Sequence, residues 1–183
     1  MAGRGPVELA SARLRLRPVA ARDVDALHAL WTDPQVRRWL WDDVVIARET
    51  AAARVAASQA SFAASGWGLW ALELRSDGAL AGAAGLVEID PALGPELVYS
   101  LHPAHQGCGY ATEASRAVLD HAFGALDLAR VPGRTDAPNL ASARVLERLG
   151  MRFEGETLVS GNPHVCYAIA RDEWRRARSG PPR

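Results

Sequence analysis

Leu97-Val98-Tyr99-Ser100-Leu101-His102-Pro103-Ala104-His105-Gln106-Gly107-Cys108-Gly109-Tyr110-Ala111-Thr112-Glu113 reads as a strand, a glycine turn and the first turn of a helix. Leu97, Tyr99 and Leu101 alternate with Val98 and Ser100, which predicts a strand with two different faces. Gly107 and Gly109 bracket one residue, and Ala114, Ala117, Val118 and Ala122 then recur at helical spacing. A helix N-terminus exposes N–H groups without intrahelical partners and carries partial positive charge. Glycine lets an anion come close to that backbone. The stretch therefore predicts a pyrophosphate cradle.

The segments on either side supply its scaffold. Trp67 to Arg75 and Leu80 to Ile89 alternate around the turn Ser76-Asp77-Gly78 and predict a hairpin. Gly82 and Gly85 inside it mark a bulge or a close backbone approach. Further upstream, residues 1–10 read as a loose terminus, and Ala12 to Arg17 as a first strand that Pro18 ends. Asp23 to Trp31 predicts an amphipathic helix, with His28 packed beside its apolar face. Asp33-Pro34 opens a short second helix, with Pro at its first position. Ile46 to Ala64 is an Ala-rich helix closed by Ser65-Gly66.

Downstream, Arg130 to Thr135 is a strand that Pro132 restricts to an edge or a bulge. Asp136-Ala137-Pro138-Asn139 caps a helix over Leu140 to Leu149, which Gly150 stops. Phe153 to Val159 and His164 to Ala170 predict two closing strands, and Arg171 to Arg178 a basic helical tail. There is no repeat and no sign of a second domain, so residues 1–183 are expected to form one α/β (α+β) domain, a sheet packed with helices.

Composition narrows the functional classes. The formal net charge is +0, which gives no bias toward nucleic acid or an acidic membrane as partner. The apolar runs are far short of a membrane span, no signal-peptide pattern opens the chain, and Cys108 and Cys166 make no disulfide framework. A soluble, cytoplasmic protein is the expectation. Every Lys/Arg position is Arg. Arg13, Arg15 and Arg17 alternate with Leu14 and Leu16, as on the solvated face of an edge strand. No set of His, Cys and carboxylates has metal-ligand spacing, so no metal is expected.

Three nucleotide-type sites compete for the glycine turn. A P-loop needs a Gly-Lys-Ser/Thr ending, which a chain without Lys cannot supply. A dinucleotide fingerprint needs a third glycine where this chain has Thr112, although Asp136 could imitate its acidic residue. The third is a coenzyme A cradle. Gln106-Gly107-Cys108-Gly109-Tyr110-Ala111 resembles the Gln/Arg-x-x-Gly-x-Gly/Ala signature of the GNAT N-acetyltransferase superfamily. Tyr110-Ala111-Thr112-Glu113-Ala114, and Asn139-x-x-Ser142-x-Arg144-Val145-Leu146-Glu147-x-Leu149-Gly150-Met151 followed by Glu154-Gly155, resemble its ribosomal-protein N-terminal alanine acetyltransferase branch, RimJ/RimL-like. Trp70-Ala71, Gly82 and Glu96 fall where that branch carries a strand tryptophan, a glycine and an acidic residue. Two positions depart from it. Gln106 stands where the branch usually has Trp, and Cys108 where a basic residue is common, so weaker coenzyme binding is expected.

The resemblance implies a GNAT-like fold, a mixed, mostly antiparallel sheet flanked by helices. It implies transfer of an acetyl group from acetyl-CoA, as cosubstrate, to a primary amine of a peptide N-terminus or small molecule in a ternary complex. A homodimer is compatible with it. Leu101, Gln106, Gly107, Cys108, Gly109, Tyr110, Ala111 and Asn139 would then bind the coenzyme. Glu96 would be the base that takes the amine's proton, with Glu88 in reserve, and Ser142 the donor to the leaving thiol. A backbone N–H between Tyr99 and Leu101 would face the oxyanion. Tyr167 is an alternative acid, and His164 falls beside the acceptor or merely in a turn. Trp39 and Trp41 would wall the acceptor site. The contrasting expectation is a GNAT-fold module that binds acyl-CoA without catalysis. Asn139 could equally be only a helix cap.

Overall fold

The structure is a computed structural model, and residues 7–179 are described. Among the described residues, eight strands and six α-helices follow one another. The short β1 (Leu9–Ala10) and β2 (Leu14–Pro18) lead into α1 (Val24–Thr32), α2 (Pro34–Leu40) and α3 (Arg48–Ser65). Then come β3 (Leu69–Leu74), β4 (Leu80–Glu88), β5 (Pro95–Leu101) and α4 (Tyr110–Gly124). The chain finishes with β6 (Arg130–Asp136), α5 (Leu140–Arg148), β7 (Arg152–Val159), β8 (Asn162–Ala170) and α6 (Arg171–Ser179).

The strands form two sheets, a five-stranded one in the order β1-β2-β3-β4-β5 and a three-stranded one in the order β6-β8-β7, with every pairing antiparallel. The anticipated hairpin is β3–β4, and its two glycines are explained by close backbone approach. A Cβ on Gly85 would lie 2.0 Å from the Gly68 carbonyl, and one on Gly82 2.1 Å from the Ser100 carbonyl. β5 and β6 lie side by side without a ladder between them, so the sheets part along this line. Pro132 sits in β6, the edge strand of the smaller sheet, where its missing N–H costs no ladder bond on the open side.

Apolar alternation on β3 divides the core. Trp70 and Leu72 are fully buried in a cluster with Leu16, Leu97 and Leu119 beneath α4. Leu69 and Ala71 join Leu27, Trp31 and Val55 beneath α1 and α3. The Trp70 ring meets Phe62 edge-on, with centroids 4.6 Å apart at 86°. Asp33 accepts from the Gln35 N–H and starts α2 at Pro34, and the His28 ring N–H donates to the Ile46 carbonyl.

Three expectations change. The terminus is not loose throughout: Leu9 and Ala10 pair with Leu16 and Arg15. (Of residues 1–10, the first six lie outside the described residues.) The arginine stripe is solvated at Arg13 and Arg15 but not at Arg17, and its strand β2 lies one in from the edge strand β1. Arg17 is 8% exposed and forks onto Asp23 at 2.7 Å, with Glu73 at 2.6 Å, because β2 pairs with β3 and is capped by the turn before α1. Arg13 pairs with Glu113 on α4 and Arg15 with Glu8, and both arginines are exposed. Lastly, α6 is more than a basic tail, because Trp174 is 5% exposed against the main core and donates to Asp120.

Candidate active site

The parting of the sheets is the origin of the site. A cavity of about 850 Å³ reaches from the turn before α4, past β5 and β6, to α2. Strand alternation sorts what faces it. On β5, Val98 and Ser100 point to the α1–α3 side, where Ser100 accepts from the Trp31 indole N–H at 3.2 Å. Leu97, Tyr99 and Leu101 point to the α4–α5 side. Backbone groups alternate as well. The His102 N–H bonds to Ala81 of β4, so the Ser100 backbone faces β4 and those of Tyr99 and Leu101 face the parting. Two contacts agree with this: the Leu101 carbonyl accepts from the Gln106 side chain at 3.1 Å, and the Leu97 carbonyl lies toward Gly133 on β6.

The coenzyme end is built from backbone. Gly107 and Gly109 sit at φ 74° and 83°, a region that side chains disfavour. The N-terminus of α4 has no side-chain cap, and its ladder begins with the Glu113 N–H donating to the Gly109 carbonyl. Gln106, Gly107, Gly109, Ala111 and Thr112 line the cavity. An uncapped helix start with open glycines fits a pyrophosphate. Glu113 is held by the Ser11 hydroxyl and by Arg13, whose guanidinium lies 4.5 Å from the Tyr110 ring centre. Burial works to raise the Glu113 pKa, but these hydrogen bonds outweigh it and leave it below the usual carboxylate range. Cys108 is exposed, and its thiol donates to the Gln106 carbonyl at 3.5 Å.

Across the parting, Asn139 accepts from the Ser142 N–H at 3.2 Å, the cap that its position anticipates. Asn139 and Ser142 both line the cavity. The Ser142 hydroxyl is 2.8 Å from the Tyr99 hydroxyl, which also donates to the Ser142 carbonyl at 3.0 Å. Burial pushes the Tyr99 phenol up to about 12, with the Ser142 bond opposing it, so it remains a donor at neutral pH. Tyr99 as a partner of Ser142 was not legible in the sequence, since a strand Tyr reads as core. The alternative acid, Tyr167, is 7% exposed and bonds Glu147 at 3.2 Å, and it is not among the cavity-lining residues.

The acceptor end is built from side chains. Glu96 is 1% exposed, and its two oxygens take Arg134 at 2.6 and 2.7 Å. Those bonds raise the pKa of the guanidinium. Arg134 and Asp136 alternate on β6, and register puts His164 of β8 opposite Asp136. Trp39 and Trp41 both line the cavity, and Trp41 meets Trp31 at 6.1 Å. Asp42 and Asp43 follow in left-handed backbone, φ 50° and 63°, and Asp42 accepts from Asn162 of β8 at 2.9 Å. Glu88, the reserve base, is exposed at the cavity wall. In the sequence Arg134 had no place in the site, and Asp136 stood only as a turn residue or a dinucleotide mimic. Their signal was available: two charges alternating within a short strand must share a face. Among the described residues no three His, Cys, Asp or Glu side chains gather as a metal site, and no helix is long and apolar enough to cross a membrane.

Comparison with known proteins adds the following. The Acetyltransferase (GNAT) domain family matches residues 13–152. The uncharacterized protein YkkB of Bacillus subtilis (strain 168) is 32% identical over 163 residues, 87% of this chain and 94% of that protein. An uncharacterized N-acetyltransferase of the same organism, YnaD, is 34% identical over 85 residues, 43% of this chain and 50% of its own length. Among solved structures, an acetyltransferase from Agrobacterium tumefaciens superposes with TM-score 0.79 at 25% identity, covering 91% of this chain and 95% of its own. RimL, a ribosomal alpha-N-protein acetyltransferase solved in complex with coenzyme A, superposes with TM-score 0.75 at 22% identity, covering 89% and 97%. At that identity the likeness concerns the fold.

Proposed function

This chain belongs to the GNAT acetyltransferase family, and from that membership we propose that it moves an acetyl group from acetyl-CoA directly onto a primary amine in a ternary complex. The observation that carries the proposal is the continuity of the cavity. One wall is an uncapped helix start with two left-handed glycines, and the other holds buried charge and tryptophan, with Tyr99 and Ser142 between them.

Each residue then has a task. Gln106 to Ala111 and Asn139 hold the coenzyme arm, chiefly through backbone N–H groups. The Tyr99 or Leu101 N–H, turned toward the parting, donates to the thioester oxygen as charge develops on it. Ser142 gives a hydrogen bond to the departing thiolate, and Tyr99 orients that hydroxyl. Glu96 serves the site through Arg134, which it holds in the wall. Trp39 and Trp41 flank the acceptor, which is a peptide N-terminus or a small-molecule amine. In support, RimL is named for an alpha-N-protein substrate.

The second reading, a module that binds acyl-CoA without catalysis, draws on one observation: the Glu96 carboxylate is engaged at both oxygens. Thiol release from acetyl-CoA across a panel of amines and short peptides separates the two. Amine-dependent release is expected. Coenzyme binding by calorimetry with no such release would leave the binding module.

A further inference from the structure

We propose that Asp136 and His164 form the seat for the acceptor's ammonium group, and that His164 Nε2 takes the proton the amine must lose before it attacks. The proposal rests on the acetyl-transfer reading above and assigns the base within it.

The two strands bring the pair together. Asp136 ends β6, His164 lies opposite it in β8, and both line the cavity with side chains 15% exposed. The imidazole tautomer follows from its partners. Nδ1 lies 3.0 Å from the Asn162 carbonyl, which can only accept, so in the neutral ring Nδ1 carries the hydrogen and Nε2 the lone pair. Nε2 lies 3.7 Å from Asp136 Oδ1. Two acceptors at that distance do not bond each other. An ammonium group set between them donates one N–H to each.

The chemistry of the step closes. One proton of R–NH3+ passes to Nε2, and the imidazolium so formed faces the Asp136 carboxylate. The freed lone pair attacks the thioester carbon, so that the C–N bond forms and the C–S bond breaks. The nitrogen's second surplus proton departs as the tetrahedral intermediate collapses. The thiolate takes a proton through the Ser142 hydroxyl, and His164 returns its own to solvent. Amide, free thiol and one proton are the products.

Two other candidates are occupied. Glu96 gives both oxygens to Arg134, and Tyr99 is bonded to Ser142. The surroundings of the ring are accounted for on each packed element. Asp136 faces it from β6, with the internally paired Arg134–Glu96 beyond. Thr157, flanked by Glu156, lies opposite on β7, and Asp42 is tied to Asn162 two residues away.

The test uses the full chain as wild type, His164→Gln and Asp136→Asn, with acetyl-CoA and alaninamide as the amine probe. We expect His164→Gln to lower kcat by roughly 10²- to 10⁴-fold, the usual range for a general base, and to move the acidic limb of the pH profile to the titration of the amine itself. Asp136→Asn raises KM for alaninamide more than it lowers kcat. Coenzyme A affinity and melting temperature stay at wild-type values in both, which separates these effects from misfolding. Ring ¹⁵N NMR gives a readout independent of turnover: His164 carries its hydrogen on Nδ1, and Nε2 shifts when alaninamide is added, but not in Asp136→Asn. The inference is overturned if the hydrogen sits on Nε2, if alaninamide leaves that signal unmoved, or if His164→Gln keeps both rate and acidic limb. The same move of the limb in Glu88→Gln instead would also overturn it. Failure of the parent reading looks different: wild type binds coenzyme A yet releases thiol with no amine, while the NMR arm still decides the ammonium seat.

Discussion

The two ends of the cavity are made in different ways. The coenzyme end uses backbone from one local segment, a glycine turn running into α4, plus the capped start of α5. The acceptor end uses side chains from α2, β5, β6 and β8, which meet only when the strands pair. A backbone site tolerates exchange of side chains and fails when its φ angles change. A side-chain site should fail the other way, through loss of a charge or a proton-carrying group.

Substitutions can test that contrast. The largest effect is expected at Glu96→Ala, which strips the half-buried Arg134 of the carboxylate that holds two of its nitrogens. Removing one partner of such a pair costs about 3–5 kcal/mol, to be measured by urea denaturation; a loss below 1 kcal/mol would mean that the acceptor wall does not depend on this pair. Next is Gly109→Val. At φ 83° a side chain costs roughly 1–2 kcal/mol, and the coenzyme N–H groups shift with it, so coenzyme A affinity should fall at least about tenfold by calorimetry. Unchanged affinity would remove the backbone cradle from the argument. Tyr99→Phe deletes both hydrogen bonds to Ser142, each worth about 0.5–1.5 kcal/mol, and should lower kcat roughly tenfold with coenzyme affinity intact.

Acid should act on the scaffold around both ends. Burial works to raise the Asp23 pKa, but the Arg17 and Ala20 hydrogen bonds outweigh it and hold it below its ordinary value, as Glu113 is held beside the glycine turn. A folded-state pKa below the unfolded one contributes stability that is complete above the unfolded value, about 4 for these carboxylates, and is lost as pH falls through the folded value. Melting temperature should therefore drop below about pH 4, and less steeply in Asp23→Asn. The smallest effect is expected at Cys108→Ser. The thiol is exposed and donates to a carbonyl, so stability should stay within about 0.5 kcal/mol and turnover unchanged. A dead Cys108→Ser enzyme would reopen the role of this thiol.

Legibility in the sequence followed the same division. The α4 turn, the Asn139 cap with Ser142 and the β3–β4 hairpin rest on interactions between near neighbours, and each was readable; that Pro132 needs an edge or a bulge follows from its missing N–H alone. The burial of Arg17, the pairing of Glu96 with Arg134, and the contact of Tyr99 with Ser142 join residues 6, 38 and 43 positions apart. No local pattern reports them. Trp39 and Trp41 read as core or as pocket wall, because an indole buries area in either setting, and their place along the cavity fits the second.

Sequence alone was enough for the element order, the glycine turn and the family resemblance, because helix starts, turns and strand alternation are set within a few residues. Tertiary structure decided which charges face each other: that Glu96 is bound at both oxygens, that Tyr99 reaches Ser142, and that His164 stands 3.7 Å from Asp136. Those contacts depend on strand register and on where two sheets part, and register is a property of paired strands that no single strand carries.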